Sequence, residues 1–277
     1  MASHIERRLC HRGSRRQRHL PGRSPPRDAG PGRLGRGKGA LIGAPPLRIL
    51  CGEHANPAID TALRLLGLGA NTPLRIGTDD QGRTKPEALV DALAQAEEPT
   101  IVCAQAGNVA TGAFDAFEPI ADACTTHNAW LHIDGAFGPW AAAARATQHL
   151  TRCVQRADSW AVDAHKWLNV PHDAGMAIVA DAEAHVAAMR LADGRYYVID
   201  SGQRDNTNYV AESSRRARAV PIYAAIRSPG RAGVAELIER NCAQARRMAK
   251  RLAAIPGAVD CQRRRPQPSA GATSRRR

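Results

Sequence analysis

Short apolar runs alternate with longer amphipathic stretches from residue 47 to about residue 180, and this alternation constrains the fold more than any other feature. The apolar runs predict strands at residues 47–51, 74–76, 100–105, 129–133, 159–162 and 176–179. Helical spacing predicts helices at residues 57–66, 86–96, 117–127, 181–191, 213–226 and 234–252. Because strands that alternate with helices build a mainly parallel sheet with flanking helices, the sequence predicts an α/β fold.

Two reactive side chains each follow one of these apolar runs. Lys166 lies in Asp-Ala-His-Lys-Trp after the fifth run, and Asp134 ends Leu-His-Ile-Asp, 32 positions earlier. Parallel strands deliver such residues to their carboxyl ends, where ligand crevices form. A lysine amine for a Schiff base and a carboxylate for a pyridinium nitrogen are the protein groups that pyridoxal phosphate chemistry most needs. Taken singly, Lys166 is also compatible with a surface lysine, and Asp134 with a helix cap.

Two further motifs precede this pair, and the four together carry a resemblance to a known family. They are Gly-Glu-His-Ala-Asn at residues 52–56 and the stretch 105–115, Gln-Ala-Gly-Asn-Val-Ala-Thr-Gly-Ala-Phe-Asp. In this order and spacing, residues 47–257 resemble part of a group II pyridoxal-phosphate-dependent amino-acid decarboxylase. The resemblance implies the large domain of a fold-type-I, aspartate-aminotransferase-like enzyme, incomplete and truncated at both ends.

The resemblance also implies roles for individual residues. Lys166 is expected to form the Schiff base, Asp134 to pair with the pyridine nitrogen, and His54 to stack on the cofactor ring. Further contacts with pyridoxal 5'-phosphate are expected from Ala136, His165, Asn108 and Thr111, and no metal ligands are expected. Tyr196 and Tyr197 fall where the family draws its mobile catalytic loop. A phosphate-binding turn rich in Gly and Ser/Thr is expected within residues 1–46, but no stretch there has that composition.

The implied activity is decarboxylation of an L-amino acid, and two alternatives stay open. One is a truncated remnant without activity, and the other is a related carbon–carbon lyase or aldolase. Cofactor retention separates an active enzyme from the remnant, whereas release of carbon dioxide separates the decarboxylase from the lyase. The family resemblance also implies a homodimer whose partner contributes to substrate binding.

The net charge of +13 arises from the ends of the chain, since residues 48–260 carry 22 basic and 24 acidic side chains. We interpret residues 1–46 as a disordered or out-of-frame Arg/Gly/Pro-rich segment and residues 258–277 as a disordered Arg-rich tail. Their basic residues are almost all Arg without interleaved aromatic residues, which disfavours nucleic-acid binding. Between them we predict a cofactor-binding core at 47–190, then a loop and helices at 191–257 that lead toward a missing small domain.

The remaining composition favours a protein of the cytoplasm. Seven cysteines occur without any Cys-x-x-Cys spacing, which argues against a zinc site and against a disulfide framework. No apolar stretch reaches the roughly 18 residues needed to span a bilayer, so no membrane partner is expected.

Overall fold

The computed structural model describes residues 46–69, 73–189, 204–210, 212 and 214–257. A six-stranded sheet organises this part of the chain. Its strands are β1 (Arg48–Gly52), β2 (Pro73–Ile76), β3 (Thr100–Gln105), β4 (Trp130–Asp134), β5 (Ser159–Asp163) and β6 (Gly175–Val179). They lie in the spatial order β2-β1-β3-β4-β5-β6. The six predicted strands are therefore confirmed, each to within one residue at either end.

Five of these strands run parallel, and the sixth does not. β1 to β5 pair in parallel, whereas β6 pairs antiparallel with β5. A parallel return would require a crossover connection, usually a helix, and residues 164–174 between β5 and β6 contain none. The predicted mainly parallel sheet is confirmed, and its antiparallel strand follows directly after the segment that carries Lys166.

Helices cover the sheet and extend beyond it. They are α1 (Ala58–Leu65), α2 (Pro86–Ala94), α3 (Phe117–Thr126), α4 (Ala182–Met189), α5 (Ala219–Arg227) and α6 (Gly230–Leu252). Short 3₁₀ helices, which the sequence did not predict, occupy Gly138–Ala143, Gln148–Thr151, Val154–Arg156 and Asn206–Tyr209. Among the described residues we find no helix that combines the length and the apolar character required to cross a bilayer.

The main hydrophobic core lies between one face of the sheet and two helices. Leu50, Val102 and Leu131 are aligned across β1, β3 and β4, so their side chains share that face. Against them pack buried residues of α2 and α3, namely Leu89, Leu93, Phe117, Ile120 and Cys124. Burial of this apolar surface is the main force that holds the strands in register.

Three predicted boundaries are wrong or only partly described. The helix predicted from residue 213 begins at Ala219, because 214–218 is an Arg-rich stretch with few apolar side chains to bury. The last helix begins at Gly230, four residues before its predicted start. The stretch from residue 191, which the sequence predicts to begin as a loop, contains a 3₁₀ helix at Asn206–Tyr209. Tyr196 and Tyr197, like residues 1–45 and 258–277, lie outside the described residues.

A second hydrophobic cluster joins α5 and α6 to residues 164–174, which we call the lysine loop. Ala164, Leu168, Val170 and Ala174 of the loop are buried against Ile222 of α5 and Val234 of α6. The loop that carries Lys166 is therefore packed on the two helices that follow it by some 50 residues.

Candidate active site

Lys166 lies on the lysine loop, three residues after β5 ends at Asp163. Its side chain is 44% exposed, and its Nζ lies 2.9 Å from Oδ2 of Asp163. Gly175, the residue paired with Asp163 on β6, makes room for this carboxylate. A Cβ at Gly175 would lie 3.1 Å from Oδ1 of Asp163, closer than most real contacts of that kind. In this structure the lysine amine is thus held by a carboxylate of the preceding strand.

The lysine loop is closed by hydrogen bonds that converge on one carbonyl oxygen. The backbone N–H groups of Ala164 and His165 donate to the oxygen of Ala174 at 2.8 and 3.2 Å. His165 adds a third bond, because its Nδ1 lies 3.1 Å from the same oxygen. Since a carbonyl only accepts, Nδ1 of His165 carries the proton. The His165 ring also contacts the His172 ring, with centroids 4.4 Å apart.

Asp134 ends β4, the strand next to β5. Its backbone is aligned with Gln105 of β3 and with Ala161 of β5. The half-buried carboxylate accepts one recorded hydrogen bond from the described residues, from the Ala136 N–H at 3.3 Å. Asp134 and Lys166 therefore follow neighbouring strands at the same edge of the sheet, as the sequence predicts. A carboxylate with so few partners retains capacity to accept another hydrogen bond.

The loops that follow β3, β4 and β5 pack tightly on one another. The N–H of Asp163 donates to the oxygen of Ala136 at 2.9 Å, which joins the loop after β4 to the end of β5. The rings of Phe137 and Trp167, each adjacent to a predicted site residue, meet edge to face with centroids 6.2 Å apart. Gly107 has φ +98° and faces Phe137, whose ring lies 2.6 Å from where a Cβ would be. These contacts fix Ala136 and Lys166 relative to each other.

His54 lies beyond the carboxyl end of β1, which pairs with β3. Its Nδ1 is 2.7 Å from Oγ1 of Thr78, so one edge of the exposed ring is held by a residue that follows β2. The backbone oxygen of His54 accepts a hydrogen bond from Nδ2 of Asn108 at 3.3 Å. His54 is thus attached to the loop after β3, on the same edge of the sheet as Asp134.

Asn108 and Thr111 use their polar groups within that loop. Nδ2 of Asn108 donates to His54 and to Oε1 of Gln105, and Oδ1 accepts from the N–H groups of Ala110 and Thr111. Two donors and two acceptor sites are all that an amide side chain offers. The Thr111 hydroxyl donates to the oxygen of Gln81 at 2.7 Å. These hydrogen bonds shape the loop and leave the Asn108 side chain no free hydrogen-bonding position.

The buried carboxylate of Asp115 supports the loop that follows β3. Asp115 accepts hydrogen bonds from the N–H groups of Thr84 and Gln105, both at 2.7 Å, and from the Thr84 hydroxyl at 3.2 Å. Burial raises the pKa of Asp115, and these donors only partly offset that effect. Asp115 therefore connects the residues before α2 to the end of β3, next to the predicted site.

Several residues that support the candidate site were not predicted from the sequence. Arg218 forms a bidentate ion pair with Asp173, in which Nε lies 3.1 Å and Nη2 2.8 Å from the two carboxylate oxygens. Arg216 binds the same carboxylate and donates to the oxygen of His172 at 2.7 Å. No local sequence signal identifies this cluster, because Asp173 and Arg218 are 45 residues apart. Thr78 was missed for the same reason.

Comparison with solved structures shows which fold this sheet and its helices belong to. Mouse CSAD in its apo form matches with a TM-score of 0.74 and 24% identity, over 91% of this chain and 51% of that one. At this identity the similarity shows the fold, an incomplete fold-type-I large domain. The fold-class prediction is confirmed.

The chain belongs to the pyridoxal-dependent decarboxylase family, because the model of that conserved domain matches residues 42–257. The family and its cofactor, pyridoxal 5'-phosphate, are therefore confirmed. An aromatic-L-amino-acid decarboxylase of Bacillus atrophaeus is 28% identical over 198 residues, 68% of this chain and 41% of that protein. Human cysteine sulfinic acid decarboxylase is 27% identical over 215 residues, 73% of this chain and 43% of that protein. The chain thus spans less than half the length of these relatives.

Proposed function

We propose that this chain carries the Lys166-centred part of an active site that decarboxylates an L-amino acid with pyridoxal 5'-phosphate. The observation that supports the proposal is the position of Lys166 and Asp134 after the neighbouring strands β5 and β4, in a chain of this family. Its relatives are named for aromatic and for acidic substrates, so we propose no narrower substrate class.

The residues present fit two groups of the cofactor. The Lys166 amine is exposed enough to meet an aldehyde. The Asp134 carboxylate has hydrogen-bonding capacity left for a protonated ring nitrogen. For the phosphate we propose His165, whose Nδ1 is used by the oxygen of Ala174, so that Nε2 is the nitrogen left for a ligand and would donate to the phosphate in the imidazolium form. The Asp163 carboxylate nearby would oppose a second negative charge unless Lys166 remains beside it.

Each proposed role follows from the chemistry of the side chain. The bound cofactor supplies a ring that takes up the electron pair left when the substrate carboxylate departs as carbon dioxide. Lys166 would hold the cofactor through its aldehyde, which requires a neutral amine, and Asp163, 2.9 Å away, would hold that side chain in place before the cofactor binds. Asp134 would keep a proton on the ring nitrogen, and His54 and Ala136 would contact the two faces of the ring.

For Asn108 and Thr111, on the loop after β3, we propose that they position this loop and do not contact the cofactor directly. Asn108 holds the His54 backbone and has no hydrogen-bonding position left. Thr111 ties the same loop to the turn at Gln81. Both side chains would act by fixing the loop beside the cofactor, which revises the contact role that the sequence suggests for them.

The first experiment is a titration of the purified chain with pyridoxal phosphate, followed by visible absorbance. We expect a band that is lost in Lys166→Ala, because Lys166 follows β5, the neighbour of the strand that ends at Asp134. Lys85→Ala is the matched control, since Lys85 lies before α2 and bonds through its backbone to Gly77. A band that persists in Lys166→Ala, or that never forms in the wild-type chain, would contradict the proposal. The second result would leave a remnant without activity as the better interpretation.

Turnover tests the reaction itself. Incubation with carboxyl-labelled amino acids should release labelled carbon dioxide and yield the matching amine. Asp134→Asn should weaken cofactor binding by roughly tenfold or more, because a hydrogen bond to a charged group contributes about 1.5–3 kcal/mol. Products without carbon dioxide release would favour the lyase or aldolase alternative. We further propose a homodimer, which sedimentation of the purified chain would test.

A further inference from the structure

The position of Lys166 depends on the conformation of the last residues of the lysine loop. The loop closes where the N–H groups of Ala164 and His165 and Nδ1 of His165 reach the oxygen of Ala174. Asp173 directly precedes Ala174, so a change in the φ and ψ angles of Asp173 would displace the Ala174 backbone and its oxygen. A change at Asp173 would therefore be transmitted to the two residues that precede Lys166.

Asp173 has a backbone conformation that needs support. Its φ is +39°, in the left-handed region that residues other than glycine rarely occupy. Asn169, on the same loop, also has a positive φ of +55°. A short polar side chain tolerates this conformation when it is held by hydrogen bonds. For Asp173, those bonds come from the segment before α5.

Two arginines supply that support. Arg218 binds both carboxylate oxygens of Asp173 through Nε and Nη2, the fork geometry in which guanidinium and carboxylate match. Arg216 binds the same carboxylate and the oxygen of His172. The contact with Arg218 holds the pKa of the Asp173 carboxyl below its usual range, so the pair stays charged at neutral pH.

Arg218 is itself fixed relative to the loop. It immediately precedes α5, and Ile222, one turn further along, is buried against the apolar side chains of the lysine loop. Arg218 is the less exposed of the two arginines, at 29% against 63% for Arg216. The guanidinium is therefore anchored to the helix on which the loop packs.

We propose that Arg218 is a positioning residue for Lys166, which it holds in place through Asp173 and the carbonyl oxygen of Ala174. The proposal rests on the function proposed above for Lys166. Without the two hydrogen bonds from Arg218, the Asp173 carboxylate keeps the more exposed Arg216, which supports its left-handed conformation less well. The oxygen of Ala174 then shifts relative to its three donors, and the Lys166 amine leaves the Asp163 carboxylate. The Asp173 side chain is half exposed and Arg218 is 29% exposed, so solvent weakens this ion pair and it contributes little to global stability.

The test measures Lys166 without requiring the cofactor. Trace acetylation with acetic anhydride over a range of pH, read by peptide mass spectrometry, gives the reactivity of Lys166, with Lys85 as internal reference. In Arg218→Gln we expect the Lys166 rate at neutral pH to rise by up to about fivefold, because the displaced amine loses its contact with the Asp163 carboxylate. Lys85 should be unaffected. Arg218→Lys keeps the charge but loses the fork, so it should recover only part of the wild-type profile.

Three comparisons decide the outcome. Arg240→Gln removes an exposed ion pair of α6 with Glu236 and should leave the Lys166 profile unchanged. Asp173→Asn should reproduce Arg218→Gln, and the double variant should be no more affected than either single one. A wild-type Lys166 profile in folded Arg218→Gln would overturn the proposal. If that variant does not fold, Arg218→Lys decides, and a wild-type profile there also overturns it.

The two proposals can fail separately. If the wild-type chain gives no Lys166-dependent absorbance band, the proposed function fails, yet the acetylation profile still tests whether Arg218 positions Lys166. If the band forms and the folded Arg218 variants match the wild type in both acetylation and band position, only the positioning role fails.

Discussion

At the residue scale, the contact that most affects the chemistry is the one between Lys166 and Asp163. The two groups are 2.9 Å apart and partly exposed, with side-chain exposures of 44% and 30%. The ion pair holds the lysine side chain beside Asp163, whereas bond formation with an aldehyde requires an amine that is free to reach it. Asp163 is thus the group that holds the Lys166 amine when no cofactor is bound.

Asp163→Asn should therefore make Lys166 more reactive. Without the carboxylate the amine is no longer held in an ion pair, and we expect acetylation of Lys166 at neutral pH to rise by up to about fivefold, since exposed pairs contribute about 0.2–1 kcal/mol. Competitive labelling measures this rate. Asp122→Asn, which removes a carboxylate paired with Arg156 at 2.7 Å, is the control and should have no effect. An unchanged or slower rate in Asp163→Asn would mean that the pair does not restrain the amine.

At the element scale, polar side chains link β4 to β5 behind the candidate site. Nε1 of Trp130 donates to Oγ of Ser159 at 2.8 Å, and Nδ1 of His132 lies 2.9 Å from the same oxygen. Burial lowers the pKa of His132, and the nearby Asp134 carboxylate only partly opposes this. Burial also raises the pKa of Cys103, aligned with His132 on β3, to about 12. Cys103 thus stays an uncharged thiol that does not compete with Lys166 for an aldehyde.

The lowered pKa of His132 predicts how stability changes with pH. Between that lowered value and about 6.5, the unfolded chain binds a proton at His132 that the folded chain does not, so the free energy of unfolding rises with pH. The contribution of His132 is complete above about pH 6.5 and is lost as the pH falls below it. The slope from this one group is at most about 1.4 kcal/mol per pH unit.

Urea unfolding at a series of pH values measures this slope. His132→Gln should flatten it below pH 6.5, because glutamine does not titrate. His127→Gln, at the exposed end of α3, is the control and should retain the wild-type slope. Equal slopes in wild type and His132→Gln would show that His132 does not titrate differently in the folded and unfolded chains.

At the scale of the whole molecule, α6 is packed against the rest of the described chain in its first half and is exposed near its end. Val234 and Ile238, in its first half, are buried, whereas Met248 and Leu252 near its end are 64% and 49% exposed. A shallow groove of about 280 Å³ is lined by the last turns of α6 and by Ile255. None of its lining residues is a predicted site residue, so we assign this groove no part in the proposed chemistry.

This difference in burial predicts that substitutions in the two halves of α6 change the free energy of unfolding by different amounts. Ile238→Ala should lower the free energy of unfolding by about 2–5 kcal/mol, because it leaves a cavity at a side chain with no exposed surface. Leu252→Ala should change it by less than about 0.5 kcal/mol. Chemical denaturation of both variants measures the difference. Similar costs at the two positions would mean that the far end of α6 is packed in solution.

Much of the fold was predictable because its determinants are local. Each strand is a short apolar run, and the six runs could be read from side-chain periodicity alone. The helix predicted from residue 213 begins later because Arg216 and Arg218 bind His172 and Asp173, which lie on a distant loop. The antiparallel direction of β6 also has no signature in its own residues.

The candidate site also combines features that the sequence predicts with contacts that only the folded chain makes. The amino-acid order alone is sufficient for the family, the strand order along the chain and the pair Lys166 and Asp134, because each motif is a contiguous run of side chains. Only the tertiary structure brings Asp163 against Lys166, turns Asn108 inward to hold His54, and joins Arg218 to Asp173. These contacts depend on how separate loops meet at one edge of the sheet, and that meeting is decided by packing across the molecule and not by spacing along the chain.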